Sequence, residues 1–192
     1  MRHGRGKTAF GGRGLVLGSL GPISGLAAPS PSSYLSTLRM GPPAGYVLSS
    51  TPPFNGQFDA TAYAGQYGSS SLGAGLTLIH DGFVDGYGKT WVQRSTGRAL
   101  VEFVIAFEGG RGAKSWLGFE ATADKNGPGY KHSNSLTGID AYYGAHLTLT
   151  PSGFVDAFSF VKGNDMFGVG FVSAKDNVLP LAKSQTMAQY RS

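Results

Sequence analysis

The residues that catalysis or metal binding would need are few in this sequence of 192 residues, and they are poorly spaced for it. Four histidines occur, and none has a second ligand at the short spacing that metal sites use: His3, His80, His132 and His146. The GYGKT stretch at 86–90 looks like the end of a phosphate-binding loop, but it lies one residue too far from Gly82, and a strand is expected to follow it. The G-x-S-x-G elbow of serine hydrolases does not occur. We therefore predict a protein that is not an enzyme, with no catalytic residue, no metal site and no cofactor.

The acidic residues offer two further candidates for chemistry. Glu102 and Glu120 could form the carboxylate pair of a sugar-cleaving enzyme, if they lay on neighbouring strands. Solvent-facing glutamates on alternating strands are the commoner arrangement, and we favour it. Asp85 and Asp156 could bind a metal, but each can equally pair with a threonine across a hairpin, which is the simpler interpretation. The absence of cysteine excludes disulfides, thiol nucleophiles and cysteine-bound zinc.

The two aspartates belong to a pattern that occurs twice. GAGLTLIHDGFVDGYG at 73–88 and GAHLTLTPSGFVDAFS at 144–159 share nine of sixteen residues. Gly82 and Gly153 stand where a three-residue hairpin loop needs a left-handed residue, so we predict the same hairpin in both copies. That loop predicts the cross-strand pairs Leu78–Val84 and Thr77–Asp85 in the first copy, and Leu149–Val155 and Thr148–Asp156 in the second.

The composition favours an all-β fold. Glycine is abundant, at 31 residues, and glycine weakens helices by roughly 1 kcal/mol per site relative to alanine. Each copy of the repeat extends into a predicted three-strand meander, near 72–108 and near 143–174. Further strands are predicted at 57–64 and 114–123, with a long loop at 126–138. About eight strands at this spacing predict an antiparallel β-sandwich or jelly roll.

The order of these segments also resembles a known family. A turn at Gly97-Arg98, Glu102 in the next strand, Trp116-Leu117-Gly118 and the later stretch at 165–169 are similar to the conserved strands of concanavalin-like or SPRY-type jelly-roll domains. Such domains occur in phage structural proteins and in protein-interaction modules. The resemblance covers about 100 residues and implies a jelly roll.

The first 58 residues differ in composition from the rest. They contain five Lys/Arg residues and no acid, seven of the ten prolines and eleven glycines, whereas the remainder has eleven residues of each charge. We predict an extended basic arm at 1–58, a sandwich at 59–176 and a tail at 177–192. A signal peptide cleaved near Ala28 and a transit peptide are the competing interpretations. The residues expected to make arm contacts with neighbouring subunits are Arg2, Arg5, Lys7, Phe10, Arg13, Leu15, Leu17, Leu20, Tyr34, Leu35, Arg39 and Met40.

These features favour a structural role in a virion. We predict a capsid-associated decoration, cement or minor protein of a virus or phage, forming homo-oligomers or binding other virion subunits through its arm, without a membrane. A carbohydrate-binding module or fibre tip is the alternative, and its candidate aromatic residues are Trp91, Trp116, Tyr130, His132, Tyr142 and Tyr143. A coat protein whose basic arm contacts nucleic acid is a further alternative. Five positive charges are few for it, because affinity for nucleic acid grows with the number of phosphate contacts.

Overall fold

A computed structural model describes Leu35 and residues 41–50, 54–149, 153–175 and 177–192 of the chain. Its strands are β1 (Val47–Leu48), β2 (Asn55–Phe58), β3 (Phe83–Gln93), β4 (Arg98–Phe107), β5 (Tyr130–Ser133), β6 (Tyr142–Thr148), β7 (Phe154–Lys162) and β8 (Asp165–Ser173). Its helices are α1 (Ala60–Ala64), α2 (Ser71–His80), α3 (Gly110–Lys125) and α4 (Leu179–Arg191), and a 3₁₀ turn at Gly65–Ser70 joins α1 to α2.

The eight strands form a single antiparallel sheet. Its order is β1–β3–β4–β8–β7–β6–β5, and β2 pairs with β3 beside β1. The predicted antiparallel sheet of about eight strands is therefore confirmed. The sandwich or jelly roll is not confirmed, since helices cover the sheet where a second sheet was expected. Among the described residues about 38% lie in strands and 35% in helices, so a purely all-β class is too narrow.

The two faces of the sheet pack against different elements. Alternate residues of β4 point to opposite sides. Phe103 and its neighbours on the first face pack with α1, α2 and α3, and Leu100 and Val104 on the second face pack with Val178 and Ala182 of the α4 segment. Leu35 also joins the second cluster and is 1% exposed. The chain thus builds helix layers on both faces of one sheet.

The first copy of the repeated pattern is not a hairpin, which corrects the predicted Leu78–Val84 and Thr77–Asp85 pairs. Residues 71–80 form α2, in which Ala74 and Leu78 are buried four residues apart, the spacing of one helix face. Gly82, at φ 79°, then turns the chain into β3. The predicted meander near 72–108 consequently holds one helix and two strands.

The second copy does form a hairpin, and the meander β6–β7–β8 near 143–174 is confirmed. Its register is two residues away from the prediction: Leu147 rather than Leu149 faces Val155, and His146 rather than Thr148 faces Asp156. The same register continues beyond the strands, because Leu149 N–H donates to the Gly153 carbonyl at 2.9 Å. A shift of two residues leaves every side chain on its predicted face.

The predicted strand at 114–123 is wrong, because this stretch lies in α3. Ala113, Trp116, Leu117 and Glu120 are buried along one helical face. The start of the helix packs closely on its neighbours, since a Cβ atom at Gly112 would lie 1.8 Å from the backbone oxygen of Asp81. Gly112 is the last glycine of the GGRG stretch at 109–112, and this contact leaves no space for a side chain at that position.

Two smaller boundaries also differ from the prediction. The expected strand at 57–64 ends at Phe58, because the Asp59 side chain accepts from Ala62 N–H at 2.7 Å and caps α1. The expected loop at 126–138 contains β5, which pairs with β6.

Candidate functional site

An apolar groove runs along the uncovered part of the first face. Strands β4, β6, β7 and β8 form its floor and one side, and the segments that carry Phe54 and Gln66 form the other. The space that water-sized groups can occupy in the groove is about 40 Å³, and the empty volume is about 530 Å³ when open solvent at its mouth is included. The groove is therefore small, and a ligand in it would keep part of its surface in solvent. The lining residues are Phe54, Gln66, Val101, Phe103, Leu147, Leu149, Val155, Ala157, Phe158, Ser159, Val169 and Gly170.

Small residues of β7 and β8 create this groove. Gly170 lies beside Ala157 on the neighbouring strand, and a Cβ atom built on Gly170 would be 3.6 Å from the Ala157 methyl group. Further along β8, the Phe103 ring occupies the space above Gly168, where a Cβ atom would lie 2.1 Å from it. Phe103 thus closes the groove at one side while Gly170 leaves its floor open. No lining side chain is charged.

A buried carboxylate lies beyond the Ser159 end of the groove. Glu120 on α3 is fully buried. Its Oε2 accepts from the Ser159 hydroxyl at 2.9 Å, and its Oε1 accepts from the Tyr63 hydroxyl and, at 3.4 Å, from the Tyr67 hydroxyl. These bonds join α3 to β7, α1 and the 3₁₀ turn. A carboxylate that accepts from three hydroxyl groups is well placed to hold these elements together.

The predicted pairing of Glu102 with Glu120 does not occur, because the two carboxylates lie on opposite sides of the sheet. Neither is solvent-facing, so the preferred interpretation is also wrong. Glu102 on β4 is 1% exposed on the second face. Burial raises the pKa of Glu102 to about 7, while a hydrogen bond from Gln185 and the charge of Lys89 act in the lowering direction. The Gln185 amide donates at 2.6 Å to both Glu102 Oε1 and the Gly41 carbonyl.

The predicted Thr–Asp pairs are also replaced by other contacts. Asp85 accepts from the Gln57 amide at 3.0 Å and from Gly86 N–H at 2.8 Å. Asp156 is 2% exposed and lies 2.9 Å from both His146 Nδ1 and the Asn134 amide nitrogen.

His146 and Asp156 form the one Asp–His pair across adjacent strands of the described chain. His132 stacks on the His146 ring at 4.9 Å between centroids, with 7° between the planes. The Asp156 carboxylate fixes the His146 ring through Nδ1. Sequence reasoning missed this pair because the predicted register placed Thr148 opposite Asp156. Within the described residues no group of three His, Asp or Glu side chains is placed to hold a metal ion.

The predicted sugar-binding aromatics do not form one surface. Trp91, Trp116 and Tyr143 are core residues, with 5%, 0% and 9% exposure, because they pack between the sheet and its covering elements. Tyr130 and Tyr142 are half-buried and His132 is exposed. The Tyr142 hydroxyl accepts from Leu136 N–H at 2.9 Å, so it stabilises the loop before β6.

Of the predicted arm residues, only Leu35 lies in the described part of the chain. It packs into the second core cluster of its own chain. Tyr46, a few residues after the arm contacts, packs edge-on against Phe171 at 6.0 Å. The remaining arm residues lie outside the described residues: Arg2, Arg5, Lys7, Phe10, Arg13, Leu15, Leu17, Leu20, Tyr34, Arg39 and Met40.

A second cleft, of about 690 Å³, opens at the turn between β7 and β8. Lys162, Asn164 and Asp165 line it together with buried aromatic rings. The Lys162 ammonium donates to the Tyr190 carbonyl at 3.1 Å, and this hydrogen bond links Lys162 to α4. The mixed lining does not define one class of ligand.

Comparison with known proteins gives a likeness of fold. No family model matches the sequence, and no curated protein matches it. Among solved structures, the extracellular domain of PknH from Mycobacterium tuberculosis is similar, with a TM-score of 0.50 and 12% sequence identity. The likeness covers 86% of this chain and 99% of that domain. At this identity it shows a shared fold only, and the resemblance to concanavalin-like or SPRY-type domains stays a prediction. None of the helices that the structure describes is long and apolar enough to cross a membrane.

Proposed function

We propose that this chain is a non-enzymatic binding domain, and that the groove on the first face takes up a small apolar molecule with an uncharged polar end. The groove itself carries the proposal. Ten of its twelve lining residues are apolar or glycine, and the other two, Gln66 and Ser159, are polar but uncharged. Binding sites for small molecules are concave and mostly apolar, with a few polar groups that fix orientation.

The lining also limits which ligands fit. An ionic head group would find no opposite charge among the lining side chains, and it would lose hydration without compensation. Gln66 donates to the Tyr63 carbonyl at 3.2 Å, which leaves its side-chain oxygen free to accept from a hydroxyl or amide of a ligand. A ligand with an acyl or aryl group for the apolar lining and one neutral hydrogen-bond donor for the Gln66 oxygen therefore fits the groove.

Binding of N-phenyl-1-naphthylamine, a neutral apolar fluorophore with one N–H donor, tests the proposal. We expect saturable binding to the full chain, with at least a tenfold loss of affinity in Gly170→Leu. The new side chain would fill the groove, and only ordinary contacts surround that position. Gly118→Leu is the matched control, because Gly118 is exposed on α3 with nothing within 4 Å of its Cβ position. Equal binding by both variants would contradict the proposal.

The virion role predicted from the sequence is a second candidate. The basic, acid-free composition of the first 58 residues favours it. So does the large exposed apolar area of α2, since subunits that assemble expose such surfaces before assembly. Co-purification of the full chain with particles from its source, lost on removal of residues 1–34, is the expected result. A protein recovered only in free form would contradict the virion role.

A separate experiment tests the cellular location. The similar domain of PknH is extracellular, and the competing interpretation of residues 1–28 is a signal peptide. N-terminal sequencing of the protein isolated from its source distinguishes the two. A start near residue 29 supports a location outside the cytoplasm, and a start at the first residues supports an arm.

A further inference from the structure

Helix α2 has one apolar face in the core and a second apolar face in solvent. Ala74 and Leu78 are 1% and 0% exposed. On the other side, Leu72, Leu76 and Ile79 are 76%, 61% and 67% exposed. Their spacing of four and three residues places them in one row along the helix. We call this row the α2 stripe. A surface helix ordinarily presents polar side chains there, so the stripe has the composition of a contact surface.

The α2 stripe forms a contiguous apolar patch on the surface. The three side chains together present on the order of 350 Å² of apolar surface, which is the size of the largest patch on a typical monomer. Val84, at the start of β3, adds a further side chain that is 55% exposed.

We propose that the α2 stripe binds the α2 stripe of a second copy of this chain, with the two helices antiparallel about a two-fold axis at Leu76. In that arrangement Leu76 packs on its own counterpart, and Leu72 of each copy packs on Ile79 of the other. A row that is symmetric about its central residue is self-complementary, as a two-fold interface requires. The row fits this requirement, with one leucine in the centre and one large aliphatic residue at each end.

The charges near α2 favour a second copy as the occupant. No ionisable side chain occurs between Ser71 and Ile79, so the contact brings no like charges together although the chain has a formal net charge of +5. The antiparallel arrangement also sets the positive end of each helix dipole beside the negative end of the other. Gly73 is exposed beside the stripe and has no atom within 4 Å of its Cβ position, so the neighbouring helix can approach closely.

The size of the contact predicts a weak dimer. Two stripes bury on the order of 700 Å² in total, which is less than the roughly 1,200–2,000 Å² of a stable interface. A dissociation constant weaker than about 10 μM is therefore expected for this contact alone.

The absence of cysteine from the sequence allows a direct test on the full chain. Leu76→Cys places a single thiol on the proposed axis, and we expect it to cross-link to its counterpart in the second copy under mild oxidation. Leu48→Cys is the matched control, because Leu48 is also 61% exposed but lies on β1. In sedimentation equilibrium, Leu76→Glu should weaken dimerisation at least tenfold, and Leu48→Glu should leave it unchanged.

Any of four results would overturn the proposal. The wild-type chain stays monomeric at millimolar concentration, or its dimer persists in Leu76→Glu, or the two cysteine variants cross-link equally. A Leu76→Cys thiol that reacts with a maleimide only after removal of residues 1–34 would assign the stripe to that segment of the same chain, and would also refute the two-fold contact. Groove binding of the fluorophore is expected to be intact in Leu76→Glu, so the two proposals fail independently.

Discussion

Replacing Glu102 by glutamine is expected to change how the stability of this protein depends on pH. Glu102 lies in the middle of β4 and is buried under α4, with Gln185 as its hydrogen-bond donor and Lys89 on the facing strand. Its second oxygen, Oε2, has no hydrogen-bond partner among the described residues. Burial raises the pKa of this carboxyl from its ordinary value of 4.5 to about 7.

The sign of the effect follows from proton binding. In the unfolded chain Glu102 loses its proton near pH 4.5, whereas in the folded protein it keeps the proton until about pH 7. Between these values the folded state binds more protons, so the free energy of unfolding falls as the pH rises, and it levels off above pH 7. A shift of about 2.5 pKa units corresponds to a loss of about 3 kcal/mol across this window.

Urea unfolding of the wild type, Glu102→Gln and Glu108→Gln from pH 4.5 to pH 8.5 measures this contribution. Glutamine keeps an oxygen that can accept from Gln185 but cannot ionise, so the decline should be reduced by about 3 kcal/mol in Glu102→Gln. Glu108 is exposed, and its replacement should leave the decline unchanged. Parallel curves for the wild type and Glu102→Gln would show that Glu102 ionises as in water, and would refute the reasoning.

Two further substitutions test the packing and polar contacts of the fold. Gly112→Ala should destabilise the protein by more than about 2 kcal/mol, because the new Cβ atom would lie 1.8 Å from a backbone oxygen. Gly118→Ala on the same helix should be neutral or stabilising, because nothing lies within 4 Å of its Cβ position. Equal thermal midpoints for the two variants would contradict this prediction. Asp156→Ala should lower the free energy of unfolding in urea by about 2–4 kcal/mol, because it leaves the side chains of His146 and Asn134 without their acceptor. Asp140 is exposed, and Asp140→Ala should lower the free energy of unfolding by less than about 0.5 kcal/mol. A small effect of Asp156→Ala would mean that water replaces the carboxylate.

The repeated pattern shows how much of the fold the sequence could predict. GAGLTL and GAHLTL differ at one position, yet the first lies in helix α2 and the second, except for its last residue, lies in strand β6. An alternating run of four to six residues is compatible with both structures, and the contacts it can make decide between them. In the second copy, β6 pairs with β7 and β7 pairs with β8, so the predicted meander forms. In the first copy the helix buries Ala74 and Leu78 against the rest of the chain.

The same ambiguity explains the error at 114–123. Trp116, Leu117 and Glu120 read as part of a strand when the run is taken alone, but they form one buried side of a sixteen-residue helix. Glycines at its start and centre argued against a helix, and packing overrides that propensity. The polar contacts of Glu102 and Glu120 could not be predicted either, because each depends on residues far away in the sequence. The Asp156–His146 pair was missed through the two-residue error in register.

The positions of these acids bear on what the protein does. Glu120 accepts from three hydroxyl groups that join a helix, a turn and a strand, and Asp156 holds a histidine on the neighbouring strand and an asparagine just after β5. Groups bound in this way hold the elements of the fold together. The groove and the α2 stripe, in contrast, are made of side chains that gain free energy only when another molecule covers them. The chain therefore places Glu120 and Asp156 in structural contacts, whereas the groove and the α2 stripe are uncovered apolar surfaces on which the proposed ligand and the proposed second copy would lie.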